Sequence, residues 1–278
     1  MTLVLAGVLG FAAGWALWVL LQPVLDEPLF ARENFRGASI PTAAGIVLVL
    51  SAVAVEGVMA VLEAGGVDLD GTGHARRLTL LAVAGYGFLG LLDDLGGSPA
   101  ARGFRGHLAA IGRGRLTTGG VKLLGGGAVA LVAVAPVAGE SIGRLVRDAA
   151  LVALAANLGN LFDRAPGRCT KVGLVAAVAL VALSGAEPEL AGVVAVGAAA
   201  LATLVPDLRE RLMLGDTGAN ALGAVVGLGV VLACSGGVRT GVLLGVAALN
   251  LVSEAVSFSR VIERVAVLRA LDRAGRKA

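Results

Sequence analysis

The stretch GGVKLLGGGAVALVAVAPVAG, residues 119–139, decides the fold. It runs for 21 residues with one charge, Lys122, near its start. A helix that crosses a bilayer needs roughly 20 apolar residues. The abundant Gly and Ala suit packed transmembrane helices, where small residues let backbones approach closely. Working outward, similar runs recur at about 2–22, 41–63, 78–92, 146–162, 172–186, 190–206, 219–235 and 238–256. The interval 172–206 reads either as a hairpin broken at Glu187-Pro188-Glu189 or as one long tilted segment. No basic residue precedes the first run, so it reads as a retained helix rather than a cleaved leader.

The whole chain agrees with this local reading. Of 278 residues 57% are hydrophobic, 15% are charged and 42 are Gly, and the mean hydropathy is +0.87. Soluble domains carry about 25% charged residues. A soluble globular or disordered chain is therefore excluded. The predicted fold class is all-α: a polytopic integral membrane helical bundle of about nine transmembrane helices over 1–256. A C-terminal amphipathic tail is expected over 257–278, where Phe258, Val261, Ile262, Val265, Leu268 and Leu271 recur at helical spacing. That pattern predicts an interfacial helix on an anionic leaflet. Residues 99–118 read as a polar loop on the same side.

Charge placement predicts orientation. Loops after the odd-numbered runs, with the tail, hold 18 of the 23 Lys and Arg residues. The positive-inside rule makes that side cytoplasmic, with the N-terminus outside and the C-terminus inside. The expected location is the inner (plasma) membrane of the cell. Small-xxx-small pairs at Gly10/Gly14, Gly223/Gly227 and Gly241/Gly245 read as packing contacts within one bundle, with a homodimer the alternative. Cys169 and Cys234 have neither disulfide nor metal-ligand spacing and read as small packing residues.

Carboxylates at a membrane edge are costly and are functional candidates by default. Four polar stretches follow the first, third, fifth and seventh runs and so share one membrane face. They are 34–42 (Asn34, Arg36, Thr42), Asp93-Asp94, the Asn157/Asn160/Asp163 series at helical spacing, and Leu214-Gly215-Asp216-Thr217-Gly218. Adjacent carboxylates such as Asp93 and Asp94 repel and need a cation or a shared proton. Asp216 or Thr217 alternatively caps a helix, and Lys122 alternatively anchors its span at the headgroups. Glu56, in the outer third of the second run, reads as a buried pair or a snorkelling acid. Oxygen ligands without His or Cys suit Mg²⁺, which takes one or two carboxylates plus substrate phosphates. No Walker or dinucleotide glycine signature is present, and no nucleic-acid partner is expected. Acids at span ends, rather than at mid-membrane on broken helices, argue against a small-solute transporter.

Over about residues 30–230 the sequence resembles the polyprenyl-phosphate N-acetylhexosamine-1-phosphate transferases, the family that includes the phospho-MurNAc-pentapeptide translocase. The resemblance is carried by Ile40-Pro41-Thr42 and its preceding Asn and Arg-Gly, by Asp93-Asp94, by Asn157-x-x-Asn160-Leu-Phe-Asp163, and by Leu214-Gly-Asp216-x-Gly. It implies a membrane enzyme in which polyprenyl phosphate attacks the β-phosphate of a nucleotide sugar, a UDP-amino sugar in the family, and a nucleoside monophosphate leaves. It implies Mg²⁺ at Asp216 and catalytic roles for Asp93, Asp94 and Asp163. Asn34, Arg36, Thr42, Lys122, Asn157, Asn160, Arg164 and Arg168 become substrate-binding candidates. The sequence departs from the family at Pro166, where an aspartate is usual, at Met213, where an aromatic is frequent, and in the tail, which lacks a His-rich loop and a tenth span. These departures raise an alternative: a catalytically degenerate relative that binds polyprenyl phosphate as a carrier, flippase-like or regulatory protein.

Overall fold

The computed structural model describes residues 1–34, 36–96 and 118–277. The loop expected at 99–118 lies almost wholly outside the described residues. Among the described residues nine long helices follow one another: α1 (Thr2–Leu25), α2 (Ile46–Ala64), α3 (Gly73–Gly96), α4 (Thr118–Ala138), α5 (Ile142–Phe162), α6 (Arg168–Leu183), α7 (Ala191–Leu208), α8 (Gly215–Ala233) and α9 (Gly236–Ala255). They match the nine apolar runs in order. Eight segments are long and apolar enough to cross a membrane; α6, at 16 residues, is the short member. The chain is a multi-pass helical membrane protein. Interval 172–206 is a hairpin, broken by the turn at Gly185 and Ala186 and by a single 3₁₀ turn over Pro188–Leu190.

Helix α8 is the centre. Buried residues make up 72% of its most apolar window, against 22% for α1 and none for α9. It packs most extensively on α3 and α5. The other helices close around it, and α1 lies on α7. Small residues set these approaches. Gly10 and Gly14 of α1 lie against the Ala195 and Ala199 backbone of α7, and Gly223 and Gly227 of α8 against Ala155 and Val152 of α5. Two of the three small-residue pairs thus serve the bundle itself, as expected. The third, Gly241/Gly245 on α9, faces open space. Apolar side chains such as Val4, Trp15, Phe88, Val175 and Leu251 lie exposed on outward faces, as contact with lipid tails requires.

Two features that the sequence did not predict sit at one end of the bundle. Between α1 and α2 a short antiparallel hairpin pairs β1 (Ala31–Glu33) with β2 (Ser39–Pro41), in the register Arg32↔Ile40. Asn34 makes its turn: the side-chain oxygen accepts from the N–H groups of Arg36 (2.8 Å) and Ala38 (3.0 Å). The hairpin is tied to the α7–α8 loop, where Met213 N donates to Pro41 O (2.7 Å) and Ala44 N to Met213 O (3.1 Å). The tail is not one surface helix. It forms α10 (Phe258–Arg264) and α11 (Ala266–Arg273), interrupted at Val265, and folds back on the bundle. Arg168 at the start of α6 grips Asp272 through two bonds of 2.7 and 2.9 Å, and Phe258 stacks on Phe162 at 5.3 Å. The apolar periodicity predicted a helix but was silent on Asp272, whose buried pairing turns the tail inward.

At the other end, charges in the bundle are paired. Glu56 accepts from Arg76 Nε (2.8 Å), and Arg76 Nη2 lies 2.9 Å from Glu63, so the buried-pair reading of Glu56 holds. Asp148, fully buried, is bridged by Arg147 (2.7 Å) and Arg239 (3.0 Å), which ties α5 to the start of α9. Breaking a buried pair leaves an uncompensated charge, at a cost of about 3–5 kcal/mol. Arg76→Met should therefore lower stability by about that much in detergent unfolding. Arg77→Met, whose side chain is 68% exposed, should cost less than about 1 kcal/mol. Equal losses from both variants would refute the burial assigned to Arg76.

Candidate functional site

The first turn of α8 organises the site. A helix N-terminus leaves its first N–H groups unsatisfied, and here the acceptor comes from another helix. Asp94, near the end of α3, takes Asp216 N on Oδ1 (2.9 Å) and both Thr217 N (2.9 Å) and Thr217 Oγ1 (2.6 Å) on Oδ2. Neither Asp216 nor Thr217 caps its own helix; Asp94 does so across the interface. Three glycines let the backbones come this close. A Cβ at Gly45 would strike Gly218, one at Gly90 the Asp216 carbonyl, and one at Gly159 the Ala219 carbonyl. Gly215 precedes the turn with φ +69°, and a Cβ there would lie 2.6 Å from Asp94 Oδ2.

Because Asp94 satisfies the backbone, the Asp216 side chain is directed elsewhere. Its carboxylate pairs with Lys122 Nζ of α4 and lies within hydrogen-bond reach of the Asp93 carboxyl. Lys122 Nζ is 4.0 Å from Asp93 as well. The Asn160 amide of α5 completes the group. Oriented with its oxygen toward the ammonium, as the network requires, it accepts from Lys122 Nζ at 2.8 Å and donates to Asp216 at 2.8 Å. Four helices thus bring Asp93, Lys122, Asn160 and Asp216 into contact.

Asp163 lies just past α5, beside the Gly215 backbone. Burial pushes its carboxyl well above the usual range, and the negative charges of Asp207, Asp216 and Asp94 push the same way. This crowd of acids is met, among the described residues, by Lys122. Among the described residues no three or more His, Cys, Asp or Glu side chains form a ready metal-ligand group. What converges is an oxygen pair, Asp93 and Asp216, with Lys122 between. That donor set fits a hard cation such as Mg²⁺, bound by one or two carboxylates and otherwise by water and phosphate. It does not suit a metal that prefers nitrogen or sulfur ligands.

Other predicted residues lie outside this contact group. Asn157 shares a helix with Asn160 but turns to α9, donating to Asn250 Oδ1 at 2.6 Å. The i, i+3 spacing put both on one face, yet the step between them is enough to carry Asn157 past the α5–α8 seam. Asn34 donates to Glu210 (2.8 Å), and Arg36 pairs with Glu210 (3.2 Å). Thr42 is buried and its N–H is spent on Phe30 O (2.8 Å). Arg164 is exposed, while Arg168 is buried in its pair with Asp272. Two residues near the site were not singled out as site candidates. Arg32 Nη2 donates to the Asp94 carbonyl (3.1 Å), fastening the hairpin to the end of α3. Asp207, at the end of α7, is a buried acid whose charge reaches Asp163. Its position after an odd-numbered run was the available signal. Compared with known proteins, the chain matches no family model, and no curated protein is similar to it.

Two outcomes are expected. Gly215→Ala should destabilise by about 1–3 kcal/mol through backbone strain and the clash with Asp94, whereas Gly57→Ala, in open space on α2, should melt like the parent. Asp163→Asn should raise the melting temperature in divalent-free buffer near neutral pH. A carboxyl whose pKa is raised on folding costs stability once pH exceeds its unfolded value, so the gain should vanish in acid. A gain that persists in acid would contradict the crowding described.

Proposed function

We propose that the protein transfers a sugar-1-phosphate from a nucleotide sugar to polyprenyl phosphate at the cytoplasmic face of the inner (plasma) membrane. The observation that carries this reading is the meeting of Asp93, Lys122, Asn160 and Asp216 at one end of the bundle. Its orientation rests on the excess of Lys and Arg on that side, and its chemistry on the resemblance to the polyprenyl-phosphate transferases. When bound, Mg²⁺ supplies charge neutralisation on the diphosphate and on the departing phosphate. Asp216 is the residue that would hold it, with Asp93 beside it.

The chain's own groups divide the remaining work. Lys122, whose ammonium sits between Asp93 and Asp216, is placed to meet phosphate oxygens of a bound substrate. Asn160 orients both Lys122 and Asp216. Asp94, with both oxygens bonded to the α8 turn, is a positioning residue that holds Asp216 in place. Asp93 is thereby favoured over Asp94 as the group that takes the proton of the lipid phosphate. An oxygen of that phosphate then attacks the β-phosphorus of the donor, the bond to the α-phosphate oxygen breaks, and the nucleoside monophosphate departs. Positioning and charge stabilisation dominate such phosphoryl chemistry.

A second reading, a polyprenyl-phosphate-binding relative without catalysis, is favoured by Arg168. Its guanidinium is committed to Asp272 and Ser259 rather than open to a donor. Purified protein with Mg²⁺, polyprenyl phosphate and a panel of nucleotide sugars separates the two. Release of a nucleoside monophosphate is expected, falling at least about a hundredfold in Asp216→Asn. Lipid-phosphate binding that depends on the metal, with no turnover of any donor, would support the second reading. Full activity in Asp216→Asn would reject the assignment of the metal.

A further inference from the structure

A second charged feature lies at the same end, across the hairpin from Asp216. After α11 the chain turns at Gly275, φ +75°, and returns over the end of α7. Lys277 N donates to Leu208 O (3.2 Å), and Arg276 Nε donates to Pro166 O (2.9 Å). A Cβ at Gly275 would sit 3.1 Å from Leu208 Cδ1, so the approach is tight. Further anchorage comes from the buried Arg168–Asp272 pair and from Lys171 Nζ, which donates to the carbonyls of Leu271, Asp272 and Ala274 at 2.7–3.0 Å.

This docking sets Arg276 and Lys277 opposite Arg209 and Arg211. Between them is an open cavity of about 350 Å³ lined by those four residues and Gly275. No acid lines it. The nearby acids are engaged elsewhere: Glu210 with Asn34 and Arg36, Asp207 with Thr170, and Asp272 with Arg168 and Arg276. Among the described residues the guanidinium groups of Arg209 and Arg211 make no hydrogen bond or ion pair. Arg276 is balanced by Asp272, but Arg209, Arg211 and Lys277 face the same cavity and repel each other, and the tail's anchors hold Lys277 there. An anion in the cavity would remove that repulsion. Forked guanidinium donors with an ammonium group match phosphate oxygens in geometry and charge. The volume lies within the range of small-ligand cavities, about 300–1,000 Å³.

We propose that this cavity, formed by the α7–α8 loop and the folded-back tail, is a phosphate-binding site separate from the Asp216 group. The shared chemistry is a phosphate carried by a lipid headgroup or by a soluble phosphate or diphosphate. Basic pockets at the end of a helical bundle bind phospholipid headgroups, and the same donors would serve a free anion.

The test uses the full chain. One arm measures retention of phosphatidylglycerol by native mass spectrometry from phosphatidylcholine nanodiscs containing it. The other titrates inorganic pyrophosphate calorimetrically in uncharged detergent. Arg209→Gln/Arg211→Gln should weaken binding about tenfold or more in at least one arm without lowering the melting temperature. Arg260→Gln/Arg264→Gln, which removes equal charge from exposed positions of the tail, should change it little. Loss in the first arm alone assigns a lipid headgroup, and loss in the second a soluble anion. Absence of binding in both arms, or equal effects from the two double variants, would overturn the proposal. Asp216→Asn should bind the anion normally, so failure of the catalytic reading and failure of this one remain distinguishable.

Discussion

Everything at the polar end depends on how closely three helices approach the first turn of α8. Gly45, Gly90 and Gly159 each leave room where a single carbon would collide with that turn. Only at that separation can the Asp94 carboxylate reach the N–H groups of Asp216 and Thr217. A carboxylate at a helix N-terminus satisfies orphan donors and meets the positive end of the helix dipole. The bond therefore works twice, as a lock between α3 and α8 and as the device that frees the Asp216 side chain. The high glycine content, which in a soluble helix would be a weakness, here sets the distances between chemical groups.

The electrostatics follow from that geometry. Helix packing forces Asp93, Asp94, Asp163 and Asp216 to one place, where among the described residues Lys122 is the cation that meets them. Asp94 is eased by backbone donors, and Asp93 and Asp216 share the Lys122 ammonium. The Asp163 pKa is raised by burial and by three neighbouring acids. Such a site is poised to accept positive charge. The opposite end of the bundle contrasts with it, for Glu56 and Asp148 each meet two arginines there.

Much of this was legible in the residues. Nine apolar runs became nine helices in the same order, because bilayer thickness limits length and composition together. The parity of the runs put Asp93, Asn160, Lys122 and Asp216 on one face. Contacts made across helices were harder to read. The capping signal in Gly215-Asp216-Thr217 was present, but the acceptor lay 122 residues away in Asp94. Helical spacing grouped Asn157 with Asn160, although the seam with α8 passes between them. Arg168 had the charge of a ligand-binding residue, yet its partner is Asp272. A hairpin with three-residue strands is too short to show an alternating pattern, and its turn is set by the Asn34 side chain.

The Arg168–Asp272 bond also bears on how the protein is made. Its two halves are 104 residues apart, and translation proceeds at roughly 5–20 residues per second. The guanidinium at the head of α6 must therefore stay hydrated for several seconds after its own helix has entered the bilayer. Only once Asp272 has left the ribosome can it leave water for its buried partner. Docking of α11 therefore follows the delivery of the helices that precede it.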